Sequence, residues 1–161
     1  MIWLRKFLKN TQGSYVTLFV VLIALFSFTL LVSEYMRFID HREEVESIIQ
    51  RSLNVSMEFT LRDAVRRDHE TMINTTALWQ QFDQYLRADT ASVSGSYPRY
   101  TKTALDGSVI WRIEFTSRSA PSGYDPYGIV TGNIFISPRL ELIRGEIAFP
   151  FSIRSRSRRI E

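Results

Sequence analysis

The stretch Tyr15 to Val32, YVTLFVVLIALFSFTLLV, carries no charge, no proline and no glycine. At about 1.5 Å of rise per residue, a helix over it nearly crosses a hydrocarbon core of roughly 30 Å. The uncharged Gly13, Ser14 and Ser33 bring it to full length. Arg5, Lys6 and Lys9 stand immediately before the run, whereas Glu34, Arg37, Asp40, Arg42, Glu43 and Glu44 follow it with balanced sign. By the positive-inside rule the amino terminus is expected in the cytoplasm and the rest outside. The rival is a removable secretory signal, whose apolar region is about 7 to 15 residues and ends in a small-x-small cleavage site. Here the run is longer and LLVSEYMRF has no such site. A single-pass membrane anchor is therefore expected, uncleaved or trimmed ahead of its apolar run.

Of the 161 residues, the anchor and its continuation leave about 100 for one small water-exposed domain. The net charge of +3 is spread along the chain, which gives no electrostatic prompt for nucleic acid. The chain has no cysteine, so disulfides, thiolate catalysis and cysteine-ligated zinc are excluded.

Beyond the apolar run the period changes without a break. Tyr35, Phe38, Ile39, Val45, Ile48, Ile49, Leu53, Met57, Leu61, Ala64 and Val65 recur mostly at three or four positions with charges between them, and no proline or glycine interrupts Ser14 to Ser94. One helix from about Ser14 to Asp68 is expected, its outer half amphipathic. Glu58 with Arg62 and Asp63 with Arg67 are spaced as supporting ion pairs. The apolar stripe needs a cover, either from the rest of the domain or from neighbouring subunits.

A second helix is predicted from Thr75 to Arg87, capped by Asn74 or Thr75, with Leu78, Trp79, Phe82, Tyr85 and Leu86 on one face. Ser92 to Ser96 reads as a linker. The period then becomes two. Val109, Trp111, Ile113 and Phe115 alternate with Ile110, Arg112, Glu114 and Thr116, and Asp106-Gly107 signals a hairpin turn from a strand over Tyr100 to Leu105. Ser117 to Gly128 reads as a loop. Short strands follow at Ile134 to Ile136, Leu140 to Ile143 and Glu146 to Ile153, with Pro150 marking an edge. The fold class is α+β: a long N-terminal helix, a second short helix and a small antiparallel sheet on the emergent part of the long helix. The segments are a basic leader at 1–13, a transmembrane helix at 14–33, an amphipathic helical region at 34–91 and a β-rich domain at 92–161.

No residue set carries catalysis or a cofactor. His41 and His69 are far apart, and neighbours in Asp68-His69-Glu70 diverge by about 100° each on a helix, too far to close on one ion. No G-x-S-x-G elbow and no glycine-rich phosphate loop is present. No enzyme, no cofactor, no metal and no small-molecule substrate is expected. Arg154, Arg156 and Arg158 would share one strand face, open either to an anionic partner or simply to water as the charged rim of an edge strand. Tyr97, Tyr100, Tyr124 and Tyr127 stand near turns, as a carbohydrate platform or as packing residues.

Lys9-Asn10-Thr11-Gln12-Gly13-Ser14-Tyr15-Val16-Thr17-Leu18, a basic leader closing on Gly before a long apolar helix, resembles the leader of type IV pilin-like proteins. The segment through Leu31-Val32-Ser33-Glu34-Tyr35-Met36-Arg37 and the helix after it resembles the pseudopilins of tight-adherence (Tad) pilus systems over roughly the first 65 residues. The resemblance implies cleavage between Gly13 and Ser14 by a prepilin peptidase, which would free the apolar helix to pack against its own kind. Leu18 stands where such pilins typically carry a Glu. The expected function is that of a non-catalytic structural subunit of an envelope pilus or secretion-type assembly. Its partners would be the lipid bilayer and other pilin-like subunits or platform proteins, met through Tyr35, Phe38, Ile39, Val45, Ile48, Ile49 and Leu53. The alternative is a signal-anchored domain that binds wall polymer or a protein outside the membrane.

Overall fold

The structure, a computed structural model, describes residues 11–68, 74–88, 92–122, 126–139 and 145–156, apart from the side chains of 11–14 and 61–68. The leader residues 1–10, the strand expected at Leu140 to Ile143, His69, Tyr124 and Arg158 lie outside the described residues, as do the side chains of Leu61, Arg62, Asp63, Ala64, Val65 and Arg67.

Helix α1 runs unbroken over Thr11–Asp68 and α2 over Thr75–Ala88. Asn74 caps α2: its Oδ1 accepts from the Ala77 amide at 3.1 Å, satisfying one of the free amides of the first turn. Five strands follow, β1 Val93–Ser96, β2 Arg99–Thr103, β3 Val109–Ser119, β4 Tyr127–Ile136 and β5 Ile147–Arg156. They pair antiparallel in chain order β1-β2-β3-β4-β5. The chain is α+β, and it divides into two compact units, Met1–Phe38 and Ile39–Glu161.

Within Ile39–Glu161 the sheet has one covered and one open face. Cross-strand partners share a face, so Tyr100, Ile113, Ile134 and Phe149 lie in one row, with Trp111 and Ile136 beside them. Helix α1 meets this face with Val45, Ile49, Leu53 and Met57, all at or near zero exposure. Helix α2 adds Leu78, Phe82 and Leu86, and the Phe82 ring stands edge-on to Phe115 at 5.7 Å. Full burial of one such side chain stabilises by about 1.5–3 kcal/mol, and this interior supplies the fold's main driving term.

Small residues let α1 come close. Ser52, Ser56 and Thr60 share the buried side of α1, and the hydroxyls of Ser56 and Thr60 donate to the carbonyls of Ser52 and Ser56. The opposing strand β4 has a glycine at the contact: a Cβ on Gly128 would lie 2.7 Å from Met57 Sδ, whereas one on Gly132 would collide with the Glu114 carbonyl oxygen of the neighbouring strand β3.

Three expectations need correction. Ser92 to Ser96 is no linker, since Val93–Ser96 is edge strand β1, paired with β2. The loop expected at Ser117 to Gly128 is shorter at both ends, because β3 continues to Ser119 across a bulge after Phe115 and β4 starts at Tyr127. Strand β5 continues to Arg156.

Candidate membrane anchor and partner surfaces

In Met1–Phe38, every residue from Tyr15 to Ser33 is exposed, so among the described residues nothing gives this helix an apolar cover. It is the one described helix long and apolar enough to cross a membrane, and none of its most apolar window is buried. Its polar groups suit lipid. Thr29 Oγ1 donates to the Leu25 carbonyl at 2.9 Å, which leaves that hydroxyl satisfied without water. Where charge resumes it is paired at once: Arg37 grips the Glu34 carboxylate through Nε at 3.1 Å and Nη2 at 2.6 Å. The same guanidinium lies 5.3 Å from the Phe38 ring centroid.

The expected processing residues Gly13 and Ser14 both fall inside α1. The expected partner stripe divides. Val45, Ile49 and Leu53 are wholly buried and belong to the chain's own core, and Phe38 is nearly so. Ile39 and Ile48 are half-buried, and Tyr35 is exposed. The cover that the stripe needs comes, at Val45, Ile49 and Leu53, from the same polypeptide. A partner helix could reach these three only if the sheet moved away.

Contacts along α1 fix the direction of the sheet. Arg42 lies 5.8 Å from the Phe149 ring, Lys102 Nζ bonds Glu44 Oε1 at 2.7 Å, Gln50 Nε2 donates to the Arg154 carbonyl at 3.3 Å, and Leu53 and Met57 meet Gly128. Burial raises the Glu44 carboxyl, but hydrogen bonds and charge from Lys102 and His41 outweigh it, and the group lies below the usual carboxylate range. His41 Nδ1 is 3.2 Å from Glu44 Oε2. His41 thus belongs to a small polar cluster that tethers β2 to α1, a role that its spacing from His69 could not reveal.

Of the tyrosines near the turns, Tyr97 and Tyr100 serve packing. Burial pushes the Tyr100 phenol up, and its hydrogen bond to Asp83 Oδ1 at 2.6 Å, with that carboxylate's charge, pushes the same way. Tyr97 stacks on Phe115 at 6.2 Å and lies under the Arg118 guanidinium at 4.0 Å, and Trp79 lies 5.0 Å from that group.

The open face of the sheet is polar. Arg99 Nη2 meets Glu114 Oε1 at 2.7 Å, and Arg112 Nη2 meets Glu146 Oε2 at 2.7 Å while lying over Phe135 at 4.7 Å. Arg154 and Arg156 are exposed on edge strand β5, alternating with the buried Ile153 and Ser155. That edge is guarded. Pro150 has no amide to offer a further strand, and Gln50 already occupies the Arg154 carbonyl. Between α1 and α2 an open cleft of about 320 Å³ is lined by Arg51, Ser52, Val55, Tyr85 and Ala88. Among the described residues no three histidines or carboxylates come together as a metal site.

The residue that sequence reasoning passed over is Leu105. It stands at the β2–β3 hairpin tip, fully exposed. A leucine beside Asp-Gly was a visible oddity, because turn positions favour polar residues. No family model matches this chain, nor does any curated protein or solved structure.

Proposed function

We propose that the chain is a non-catalytic, pilin-like structural subunit of a bacterial envelope pilus or secretion-type assembly. It is inserted in the cell membrane by the apolar part of α1, with the amino terminus in the cytoplasm and the sheet-bearing unit outside. One observation carries the reading: the helix from Tyr15 to Ser33 is exposed all round, although most side chains on it are apolar and none is charged. Such a surface requires either lipid or other apolar helices around it, and a pilin-like subunit passes between these two states. The leader ending at Gly13 supports the same reading through its resemblance to pilin-like proteins. With Leu18 in place of an acidic residue, helix packing in such an assembly rests on van der Waals contact rather than on an ion pair. Because Val45, Ile49 and Leu53 are already used internally, the partner-facing residues are the apolar run itself and Tyr35. The test is recovery of the tagged full chain from detergent-solubilised membranes. Other pilin-like or secretion components are expected with it, and recovery from membranes alone would defeat the assembly role.

A second reading has one observation in its favour, the exposed Arg154 and Arg156 on β5. In it the same anchor displays a domain that binds an acidic wall polymer or protein. It requires that the full chain in nanodiscs bind an anionic polymer with affinity that falls steeply as salt rises and that drops on Arg154→Ser with Arg156→Ser.

A further inference from the structure

The β2–β3 turn is tightly built. Gly107 N donates to the Ala104 carbonyl at 3.0 Å, Ala104 N donates to the Ser108 carbonyl at 2.8 Å, and Asp106 Oδ1 accepts from the Ser108 amide at 2.9 Å and hydroxyl at 2.7 Å. Gly107 supplies the left-handed residue, φ 83°, that closes such a loop. None of these bonds involves the side chain of Leu105, yet that side chain is held clear of the protein at 111% relative exposure. Val109 beside it is also exposed.

A single exposed leucine is ordinary on a protein surface, so its place decides the matter. Along α1 the sheet contacts run from Phe149 and Lys102, at Arg42 and Glu44, to Arg154 and Gly128, at Gln50 and Met57. Strand β2 therefore runs back toward Ile39, and the tip Ala104–Ser108 is at the end of the unit where α1 comes in. The Ser137 amide, 3.4 Å from the Ile110 carbonyl, brings the end of β4 to the same level. Between Val32 and Ile39 the helix climbs only roughly 10 Å. Headgroup layers are roughly 5–7 Å deep on each side of the hydrocarbon. The chain between the end of the apolar run and Ile39 is therefore a short tether on this end of the sheet unit.

We propose that the hairpin tip is a second membrane contact, in which Leu105 enters the interfacial layer of the bilayer. The proposal rests on the reading that the apolar part of α1 spans the same bilayer. The absence of cysteine makes single-site labelling direct. Full-length protein is placed in nanodiscs of phosphatidylcholine and phosphatidylglycerol, with an environment-sensitive dye at Leu105→Cys, Leu25→Cys or Ser96→Cys and spin-labelled lipid as quencher. Emission at 105 is expected to fall with a quencher near the headgroup, emission at 25 with one deep in the chains, and emission at 96 with neither. Quenching at 25 without quenching at 105 would overturn the tip contact and leave the anchor standing. Self-quenching at 105 that unlabelled protein relieves would assign the tip to a second copy, and also overturn it. No quenching at 25 would remove the anchor reading itself. A dye at Val109→Cys guards against insertion by the dye alone: Leu105→Asp is expected to abolish its quenching, and quenching unchanged by that substitution would overturn the proposal.

Discussion

At Gly132 a methyl group has nowhere to go, because its first obstacle is the backbone oxygen of Glu114 on the neighbouring strand and its next are Phe115 and Phe151. At Gly128 the obstacle is the flexible thioether of Met57. Gly132→Ala is therefore expected to cost about 1–3 kcal/mol, the range for forced overpacking, and Gly128→Ala less, as measured by chemical unfolding of the full chain in detergent micelles. Leu53→Ala, which opens a cavity under β4, is expected to cost about 2–5 kcal/mol in the same experiment. Glu44 gives a pH signature. Its carboxyl lies below its unfolded value of 4.5, so it releases its proton more readily folded than unfolded. Its contribution to stability is complete above that value and is lost as the pH falls through the lower folded one. Glu44→Gln should lower the thermal midpoint at pH 7, and the gap from the parent protein should close as the solution is acidified below 4.5. A gap that stays constant would show that Lys102 and His41 do not hold this carboxylate.

The elements differ in how openly the sequence announces them. Helices α1 and α2 are legible because Val45, Ile49, Leu53 and Met57, like Leu78, Phe82 and Leu86, repeat at the helical period. The β2–β3 hairpin is legible because Asp106-Gly107 fits only a few turns. Strand β1 is not, since Val-Ser-Gly-Ser contains turn formers, and its pairing with β2 is a tertiary choice. Ser52, Ser56 and Thr60 were hidden for a related reason: a pattern that ranks hydroxyls as polar puts them in water, whereas Ser56 and Thr60 satisfy theirs on the preceding turn and thereby fit a tight interface. The stripe on α1 was visible, but what covers Val45, Ile49 and Leu53 was not, because a buried face reads the same whether its partner is cis or trans. The anchor has a test at this scale. A charge at the centre of a membrane helix costs about 2.5–3.5 kcal/mol on insertion scales. Leu25→Arg is expected to move the protein out of the carbonate-washed membrane pellet, while Tyr35→Arg, beyond the apolar run, should leave it there.

At the scale of the whole molecule, the chain joins an apolar helix that none of the described residues covers to a unit whose sheet is covered on one face by its own helices. The second unit has its core filled, so in the proposed role it is the apolar helix that meets lipid or partner helices. That division gives the proposed scaffolding role its physical basis, and it makes the fate of the leader the deciding fact, because a helix that begins at Ser14 can leave lipid for a neighbouring helix without dragging Arg5, Lys6 and Lys9 through the bilayer. Intact-mass measurement of the chain extracted from carbonate-washed bacterial membranes reads this directly. The account expects a chain that begins at Ser14 and still contains Tyr15 to Val32. A membrane-bound chain that retains the leader, or a chain released from the membrane without its apolar helix, would contradict it.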